Sequence, residues 1–390
     1  MRIAMVGPFG FHPNKTMRSR ALQLAKPLVR RGHEVMMIMP PWQTPDDAER
    51  IWTEEGVEIR YISLRGGIGR RTMRMVRQTL AWQPDIVHSF KPKAYSGLVA
   101  WWLWYFKRRR IGLVTDTDDW EGWGGWNEIA PYTRLQKRFF SWQEQWGLGH
   151  NHGLTVASRT LQSLAWANGK PPEKVYYLPN GPGIGVGATG ESGQIRAELG
   201  LADRPVVLLY SRLFEFDSAR LLAIMQQVQV SLPDLAILGV GSGLYQDEAT
   251  EFRQLLADSS LNQAFVDVGW LDEDKLPGYL AAADAALYLM EDTLLNRAKC
   301  PVKLADMLSV GIPVVGEAVG QVPEYIQHRQ SGLLRQSGDN EGLAADLAEL
   351  LQDSELRTRL GVGARAHQTK NYSWSVLAET VEKIYEACLI

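Results

Sequence analysis

Residues Pro301 to Leu334 read PVKLADMLSVGIPVVGEAVGQVPEYIQHRQSGLL, a stretch that combines a helix, a short strand and closely spaced glycines. Its first part is a helical pattern that carries one acidic side chain, Asp306. The apolar run Ile312–Val315 predicts a buried strand shortly after that helix. A helix that leads into a short apolar strand is typical of a parallel sheet with crossover helices, and it predicts an α/β fold.

The same alternation of short apolar strands and helices runs through the whole chain. In the first half, strands are expected at Arg2–Gly7, His33–Pro40, Pro84–Ser89, Ile111–Thr115 and Gly153–Ala157, with a helix from about Met17 to Arg31. In the second half, strands are expected at Pro205–Tyr210, Leu235–Val240, Ala264–Val268 and Ala285–Tyr288. Two such series predict two doubly wound, Rossmann-like domains whose ligands bind at the carboxyl ends of the strands.

A glycine-rich stretch, PNGPGIGVGATGESG, separates the two series at Pro179–Gly193. Glycine-rich segments with few bulky side chains are typical of boundaries between domains. We therefore predict an N-terminal domain over residues 1–182 and a C-terminal domain over residues 183–372. An amphipathic helix over residues 373–390 is expected to return to the N-terminal domain.

The composition is that of a soluble globular protein, with 45% hydrophobic and 22% charged residues among 390. Its two cysteines, Cys300 and Cys388, are far apart and predict neither a disulfide framework nor a zinc site. No apolar run has the length that spans a bilayer, and Met1–Val6 leads directly into a strand-like stretch without a leader peptide. A cytoplasmic location is therefore expected.

Charge is divided unevenly along the chain. Residues 1–180 hold 26 Lys and Arg against 15 Asp and Glu, and the remaining residues hold 16 against 29, which gives net charges of +11 and −13. Twelve of the 14 tryptophans also lie before residue 170. A basic half joined to an acidic half predicts that the basic half attracts an anionic partner.

An ordered set of short motifs links these features to a known family. RGHEV begins at Arg31, PDIVHS at Pro84, LPNG at Leu178 and GVGSG at Gly239, and they precede the stretch quoted first. In content and order they resemble glycosyltransferase family 4. The resemblance implies the GT-B fold, in which two Rossmann-like domains face each other across a cleft.

The same resemblance implies an activity. Family members transfer a sugar, with retention, from a nucleoside diphosphate donor to an acceptor hydroxyl, and we expect no cofactor, no bound metal and no nucleic-acid partner. Two alternatives keep the fold: a sugar-nucleotide 2-epimerase, and a catalytically weak protein that binds a sugar nucleotide. A nicotinamide dehydrogenase is disfavoured because GPFGFHPNK follows the first strand instead of G-x-G-x-x-G.

The resemblance assigns the donor-binding residues to the C-terminal half. Arg212 ends the first strand there and is positioned to bind the diphosphate. Asp306 stands where a family acid accepts hydrogen bonds from the ribose, and Lys303 lies one helical turn before it. Further donor-binding candidates are the glycines that allow close backbone approach: Gly10, Gly239 and Gly241.

Three positions depart from the family pattern. Asp217 stands where a phosphate-binding lysine is usual, and either Lys299 or Lys303 is expected to replace it. Ala298 stands where the first of two paired acids is usual. Asp118 stands in place of a histidine, and with Arg212 and Lys303 it completes the predicted catalytic set.

The loop Thr115–Trp126, TDTDDWEGWGGW, combines acids with tryptophans. Carboxylates accept hydrogen bonds from sugar hydroxyls and indoles pack on the apolar face of a sugar ring, so this loop is predicted to bind the acceptor. The acceptor-binding residues are expected to be Asp116, Asp119, Trp120, Glu121 and Trp123. The D-x-D within the loop also resembles a metal-binding motif, but we expect no metal there.

Aromatic and basic residues adjoin each other at Tyr95–Phe106 and Lys107–Arg110. Tryptophan and tyrosine favour a membrane interface and basic clusters favour anionic lipid, whereas a crossover helix is also apolar simply because it is buried. A peripheral position on the inner face of a membrane, with a carbohydrate or lipid-linked acceptor, is the prediction that follows from the first interpretation.

The expected independence from metal gives the first testable prediction. Turnover of a nucleotide sugar should persist in the presence of EDTA, because Asp116 and Asp118 are not expected to hold a metal ion. Free nucleoside diphosphate is the product to measure. Complete loss of turnover with EDTA, restored by Mn²⁺ or Mg²⁺, would contradict this prediction.

Overall fold

The structure is a computed structural model that describes residues 1–13, 15–184, 191–241 and 246–390. The chain divides into two compact units that are not continuous in sequence. Unit 1 comprises Met1–Gly181, Ala298–Cys300 and Trp374–Ile390. Unit 2 comprises Pro182–Arg297 and Pro301–Ser373.

Unit 1 is built on an eight-stranded sheet with the strand order β3-β4-β2-β1-β5-β6-β7-β8. Its strands are β1 (Arg2–Val6), β2 (Glu34–Met39), β3 (Ile51–Glu54), β4 (Val57–Tyr61), β5 (Ile86–Phe90), β6 (Gly112–Thr117), β7 (Gly153–Val156) and β8 (Val175–Tyr177). The edge strand β3 is antiparallel to its neighbour, whereas the other pairings of this sheet are parallel. The parallel strands end at one edge of the sheet, the carboxyl edge, where ligands of such folds bind.

Helices cover both faces of this sheet, as parallel strands require. They are α1 (Gln23–Arg30), α2 (Ile68–Ala81), α3 (Ala94–Lys107), α4 (Trp126–Ile129), α5 (Arg134–Gly149), α6 (Arg159–Ala167) and the helix Trp374–Cys388 near the end of the chain. A π-helical turn, Met17–Leu22, precedes α1. The predicted helix at Met17–Arg31 is thereby confirmed, with a widened first turn.

The helix Trp374–Cys388 belongs to unit 1, as expected from the sequence. It packs along α1, and its apolar face joins the core on that side of the sheet. Leu377, Val381 and Ile384 are buried there, while the Tyr385 hydroxyl meets His88 Nδ1 at 2.7 Å. A segment from the far end of the sequence therefore closes one face of unit 1.

Unit 2 is built on a six-stranded sheet in which every pairing is parallel, with the order β11-β10-β9-β12-β13-β14. Its strands are β9 (Val206–Tyr210), β10 (Ala236–Val240), β11 (Phe265–Asp267), β12 (Ala285–Tyr288), β13 (Val314–Glu317) and β14 (Gly332–Arg335). The two sheets with their crossover helices confirm the predicted α/β, GT-B class of fold.

The helices of unit 2 enclose one large apolar core. They are α7 (Ser192–Glu198), α8 (Ser218–Ser231), α9 (Gln246–Ala257), α10 (Leu276–Ala281), α11 (Leu294–Ala298), α12 (Val302–Val310), α13 (Val322–Tyr325), α14 (Asn340–Gln352) and α15 (Ser354–Tyr372), which makes Trp374–Cys388 α16. Gly311 ends α12 with a left-handed φ of 84°, and the Arg365 side chain donates to the Val310 carbonyl beside it.

Four strands were not anticipated from the sequence: β3, β4, β8 and β14. The hairpin of β3 and β4 lies at an edge of the sheet, and its side chains alternate between exposed and covered positions. Such strands lack the continuous apolar run that marks a strand buried on both faces. The strands β8 and β14 are short, with only three and four residues.

Residues Ala298–Cys300 interrupt unit 2 and belong to unit 1. Ser158 Oγ donates to the Ala298 carbonyl at 2.7 Å, and Asn180 Nδ2 donates to the Cys300 carbonyl at 2.8 Å. The Asn180 amide also lies 3.1 Å from the Cys300 sulfur. The composition of this short segment does not distinguish it from its neighbours, so the sequence did not predict that it belongs to unit 1.

Candidate active site

Two of the three cations predicted to bind the donor, Arg212 and Lys303, lie near the carboxyl edge of unit 2. Arg212 is separated from the end of β9 by Ser211 and is partly exposed, and its Nη2 donates to Glu215 Oε1 at 2.9 Å. Its guanidinium also lies 4.8 Å from the centre of the Phe214 ring. An arginine held by an acid on one side and an aromatic ring on another keeps a defined orientation at this edge.

Lys303, on α12, lies against the ends of β9 and β10. Its Nζ is 4.2 Å from the centre of the Tyr210 ring, within the range of a cation–π contact. Gly241 follows β10 with a left-handed φ of 62°, and a Cβ built there would lie 3.6 Å from Lys303 Nζ. A cation and a backbone without a side chain therefore meet where a phosphate can approach both.

Asp306 is buried on the same helix and is tied to the beginning of unit 2. Its Oδ1 accepts from the Gly183 amide at 2.6 Å and from the Ile184 amide at 3.2 Å, and the Tyr210 hydroxyl is hydrogen-bonded to the same carboxyl. Burial raises the pKa of Asp306 to about 7 in spite of these hydrogen bonds. These contacts give Asp306 a structural task in addition to the ribose contact that the sequence predicts.

The structure explains why aspartate stands at position 217. Asp217 is the N-cap of α8, and its side chain accepts from the Arg220 amide at 3.0 Å. Aspartate at an N-cap satisfies an amide that otherwise lacks a partner, a task that lysine cannot perform. The usual lysine is thus replaced by a helix cap.

Of the two lysines proposed as substitutes, only Lys303 belongs to unit 2. Lys299 lies in the segment Ala298–Cys300 of unit 1, where its Nζ is 5.3 Å from the centre of the Trp126 ring. Its side chain is buried, with 4% of its surface exposed. The geometry within unit 2 therefore favours Lys303 over Lys299 beside Arg212.

The other glycine candidates differ in position. Gly239 lies within β10 and is buried, and Gly243, part of the predicted turn, lies outside the described residues. Gly10 belongs to unit 1, where a Cβ would come within 2.9 Å of the Tyr61 hydroxyl. Close packing against Tyr61 accounts for glycine at this position.

A buried acid that the sequence did not single out connects the loops at the carboxyl edge of unit 2. Glu317, at the end of β13, is fully buried and accepts from the amides of Met290 at 2.9 Å and Gly338 at 2.7 Å. Arg220 on α8 donates to both of its oxygens, at 3.1 and 2.6 Å. One carboxylate therefore holds together the segments that follow β12 and β14 and the first turn of α8.

In unit 1, Asp116 forms a fully buried ion pair with Arg20. Arg20 donates to both carboxylate oxygens, at 2.8 and 2.7 Å, and Thr155 Oγ1 donates to Oδ1 at 2.7 Å. Burial alone would raise the pKa of Asp116, but the charge and hydrogen bonds of Arg20 bring it below its ordinary value. With no exposed surface, Asp116 does not fit the predicted acceptor contact and instead stabilises the end of β6.

The remaining acids of the predicted acceptor loop surround Lys91, another residue that the sequence did not single out. The Lys91 Nζ lies 3.0 Å from Asp118, 2.9 Å from Asp119 and 3.4 Å from Glu121. Lys93 forms a second ion pair with Glu121. The predicted acids are thus brought together, with two lysines that offset much of their charge.

Within this cluster two acids have a raised affinity for protons. Burial raises the pKa of Asp118 to about 6, although the charge of Lys91 opposes the change. Burial and then the charge of Glu121 raise the pKa of Glu144, on α5, to about 8. Asp118, predicted to be catalytic, can therefore take up and release a proton near neutral pH.

Two of the three tryptophans of the loop differ sharply in exposure. Trp120 is buried, and its Nε1 donates to the Trp123 carbonyl at 2.7 Å. Trp123 has 50% of its surface exposed. Of these two, Trp123 therefore presents the indole face that a sugar ring could cover.

The described residues hold neither a metal-binding cluster of side chains nor a helix that could span a membrane. In residues 1–13, 15–184, 191–241 and 246–390, no group of three His, Cys, Asp or Glu side chains is arranged to hold a metal ion. No helix among them combines the length and apolar character needed to cross a bilayer. Two arginines of α2 serve the fold, since Arg71 and Arg74 donate to carbonyls of the preceding loop.

Two family models match the chain, one in each half. A model described as "Glycosyl transferase 4-like domain" matches residues 15–181, and one described as "Glycosyl transferases group 1" matches residues 204–353. The chain belongs to glycosyltransferase family 4. Arg212, Lys303 and Asp306 of this family 4 protein all lie within the second match.

Relatives of this family 4 protein act on different acceptors. It is 30% identical over 241 residues to a GDP-mannose-dependent monoacylated alpha-(1-6)-phosphatidylinositol monomannoside mannosyltransferase of Corynebacterium glutamicum, covering 60% of this chain and 61% of that one. It is 25% identical over 243 residues to an N-acetyl-alpha-D-glucosaminyl L-malate synthase of Bacillus anthracis, covering 62% and 61%. The chain thus spans about three fifths of the length of these curated relatives.

The fold of the family 4 protein also matches solved structures over its whole length. A sucrose-phosphate synthase from Thermosynechococcus elongatus superposes with a TM-score of 0.76, covering 99% of this chain and 98% of that one. The two sequences are 18% identical. At this level the likeness concerns the arrangement of the backbone alone.

The raised pKa of Asp306 predicts how stability depends on pH. Its folded-state pKa of about 7 lies above the ordinary value of 3.8, so folding favours the protonated form, and this stabilisation is lost as the pH rises toward 7. Asp306→Asn cannot ionise. As the pH rises from 5 to 8, its free energy of unfolding should therefore increase relative to that of the wild type by up to a few kcal/mol, since each tenfold change in proton affinity corresponds to about 1.4 kcal/mol.

Unfolding midpoints of both proteins, measured at the two pH values, test this. Asp339→Asn, a change at the partly exposed N-cap of α14, is a control for the loss of one negative charge in unit 2. An equal stability difference between wild type and Asp306→Asn at both pH values would mean that the folded-state pKa of Asp306 does not lie between them.

Proposed function

We propose that this chain is a retaining glycosyltransferase that moves a sugar from a nucleoside diphosphate to an acceptor hydroxyl. The observation that carries the proposal is the arrangement of Lys303, Tyr210 and Gly241 near the carboxyl edge of unit 2, with Arg212 at the end of β9. The Corynebacterium relative is named for GDP-mannose, which supports a nucleotide sugar as the donor. Retention is the part of the proposal that the resemblance to the family implies.

Sugar transfer from a nucleoside diphosphate is favoured by cations at the position where negative charge develops. When the bond between the sugar and the diphosphate breaks, the electron pair stays with the leaving phosphate oxygen, which gains negative charge. Arg212 and Lys303 stabilise this charge, and the missing side chain of Gly241 leaves room for the phosphates to approach Lys303. Because these groups are held by Glu215 and Tyr210 before the donor arrives, little reorganisation is needed during the reaction.

On the acceptor side, Asp118 and the loop around it are the proposed contacts in unit 1. Asp118 shares Lys91 with Asp119 and Glu121, and its pKa of about 6 allows it to accept a hydrogen bond from an acceptor hydroxyl at neutral pH. Trp123 offers an exposed indole face for a sugar ring. Asp119 and Glu121 act indirectly, because their ion pairs hold the Lys91 side chain in position.

We further propose that the acceptor is presented at an anionic membrane surface. On unit 1, α3 and α5 lie side by side and carry a row of aromatic rings: Phe139 to Trp142 at 5.9 Å, Trp142 to Trp146 at 6.4 Å and Trp146 to Tyr105 at 6.3 Å. Tyr105 and Phe106 are more than half exposed, and the exposed arginines Arg108–Arg110 follow directly. Aromatic rings beside exposed cations suit the interface of an anionic bilayer.

The phosphatidylinositol acceptor in the name of the Corynebacterium relative supports a lipid-linked substrate. The malate in the name of the Bacillus relative shows that related chains also use small soluble acids. Both acceptors are anionic, which agrees with the basic net charge of residues 1–180.

Removing either proposed phosphate contact should abolish most of the activity. Arg212→Ala and Lys303→Ala should each lower kcat by about 10²-fold or more, as loss of one preorganised charge contact typically does. Release of nucleoside diphosphate from a panel of nucleotide sugars is the measurement. Lys370→Ala, at an exposed position on α15, should leave turnover unchanged.

Two outcomes would contradict these assignments. Near-normal turnover of Arg212→Ala with an intact fold would remove Arg212 from the donor site. An unaffected Lys303→Ala beside an inactive Lys299→Ala would move the role of the missing family lysine to Lys299.

Membrane binding is tested by co-sedimentation with liposomes of varied phosphatidylglycerol content. Binding should rise with anionic lipid and fall with salt, and replacing Lys107–Arg110 by glutamines should weaken it by at least about tenfold, since each basic residue contributes about 1 kcal/mol. The matched control removes four exposed charges from unit 2, by combining Arg253→Gln, Lys275→Gln, Arg359→Gln and Lys370→Gln. A protein that stays in the supernatant under every condition would favour a soluble acceptor.

A further inference from the structure

Trp270 is unusually exposed for a large apolar side chain of unit 2. It is the one tryptophan in residues 182–297 and 301–373, and 62% of its surface is exposed. An indole is both large and flat, so burying it against a partner releases more water than burying most other side chains. An indole that is exposed near the carboxyl edge is therefore available to pack against a ligand.

The position of Trp270 is set by hydrogen bonds at the carboxyl edge. Asp267, the last residue of β11, accepts from the Gly269 amide at 3.0 Å, and Gly269 has a left-handed φ of 64°. The Gly269 carbonyl in turn accepts from the Gly241 amide at 2.7 Å. The turn that carries Trp270 is thus attached to the end of β10 and does not depend on the indole itself.

Trp270 faces the groups already proposed to bind the donor. Its ring centre lies 5.8 Å from Lys303 Nζ. A Cβ built on Gly241 would lie 4.0 Å from Trp270, 3.9 Å from the Tyr210 ring and 3.6 Å from Lys303 Nζ. An exposed indole, a cation and a glycine that carries no side chain therefore adjoin one another in unit 2.

This combination matches the parts of a nucleoside diphosphate. The diphosphate is anionic and is attracted to Lys303, while the base is a flat ring that stacks on an aromatic face. We propose that Trp270 is the platform for the nucleobase of the donor, and that the base is a purine. The two fused rings of indole match the extent of a purine, whereas a pyrimidine covers only part of them.

This inference rests on the proposed function and adds a determinant of donor specificity to it. Stacking of a base on an aromatic side chain contributes about 1–3 kcal/mol, judged by replacement with alanine. Trp270→Ala should therefore weaken GDP binding by about 5- to 150-fold. Trp270→Phe keeps an aromatic face and should recover much of the affinity.

The experiment is calorimetric titration of the full chain with GDP, UDP and inorganic pyrophosphate. The wild type should bind GDP more tightly than UDP, and this preference should shrink in Trp270→Ala while pyrophosphate binding stays unchanged. Lys303→Ala should weaken all three ligands. Trp166→Ala removes an indole of 42% exposure from α6 in unit 1 and should alter none of them.

Three results would overturn the proposal, and each points to a different error. Unchanged GDP affinity in Trp270→Ala would remove Trp270 from the base site, and an equal loss of GDP and pyrophosphate would mean that the variant disturbs the phosphate contacts. Tighter binding of UDP than of GDP by the wild type would overturn the assignment of a purine. A wild-type protein that binds none of the three would instead reject the proposed function itself.

Discussion

The ion pair between Arg20 and Asp116 is the contact on which the carboxyl edge of unit 1 depends. The guanidinium is fully buried, and beyond Asp116 it donates to the carbonyls of Leu178 and Pro179 and to Asn180 Oδ1. It thereby joins the turn before α1, the end of β6 and the last segment before unit 2. A buried charge that loses its partner costs about 3–5 kcal/mol, so loss of either residue should strongly destabilise this edge.

Unit 2 uses the same device with different residues. There Glu317 is the buried charge, Arg220 is its partner, and the attached segments follow β12 and β14. In each unit an acid at the end of a central strand fixes the loops at the edge where ligands of such sheets bind. Buried charges thus support the residues that are proposed to contact the substrates, without contacting the substrates themselves.

The strands buried on both faces were predictable, because a continuous apolar run such as Ala285–Tyr288 is typical of a strand covered by helices on each side. The two buried ion pairs could not be predicted from the sequence, because the two members of each pair are 96 and 97 residues apart. Taken alone, each member looks like an ordinary surface charge. For the same reason the sequence revealed the acids near Asp118 but not Lys91 at their centre. Asp217 was recognised as a departure, and its reason, a helix cap, required the start of α8 to be known.

The helix α16 has a consequence for the order in which the chain can fold during synthesis. It covers one face of the sheet of unit 1, and Tyr385 is the partner of His88 there. While the ribosome is still translating residues 182–373, the part of that apolar face that α16 covers is open beside α1, whereas unit 2 is complete before α16 emerges. The half of the protein that is made first is therefore finished last, and an exposed sheet face is available to chaperones until then.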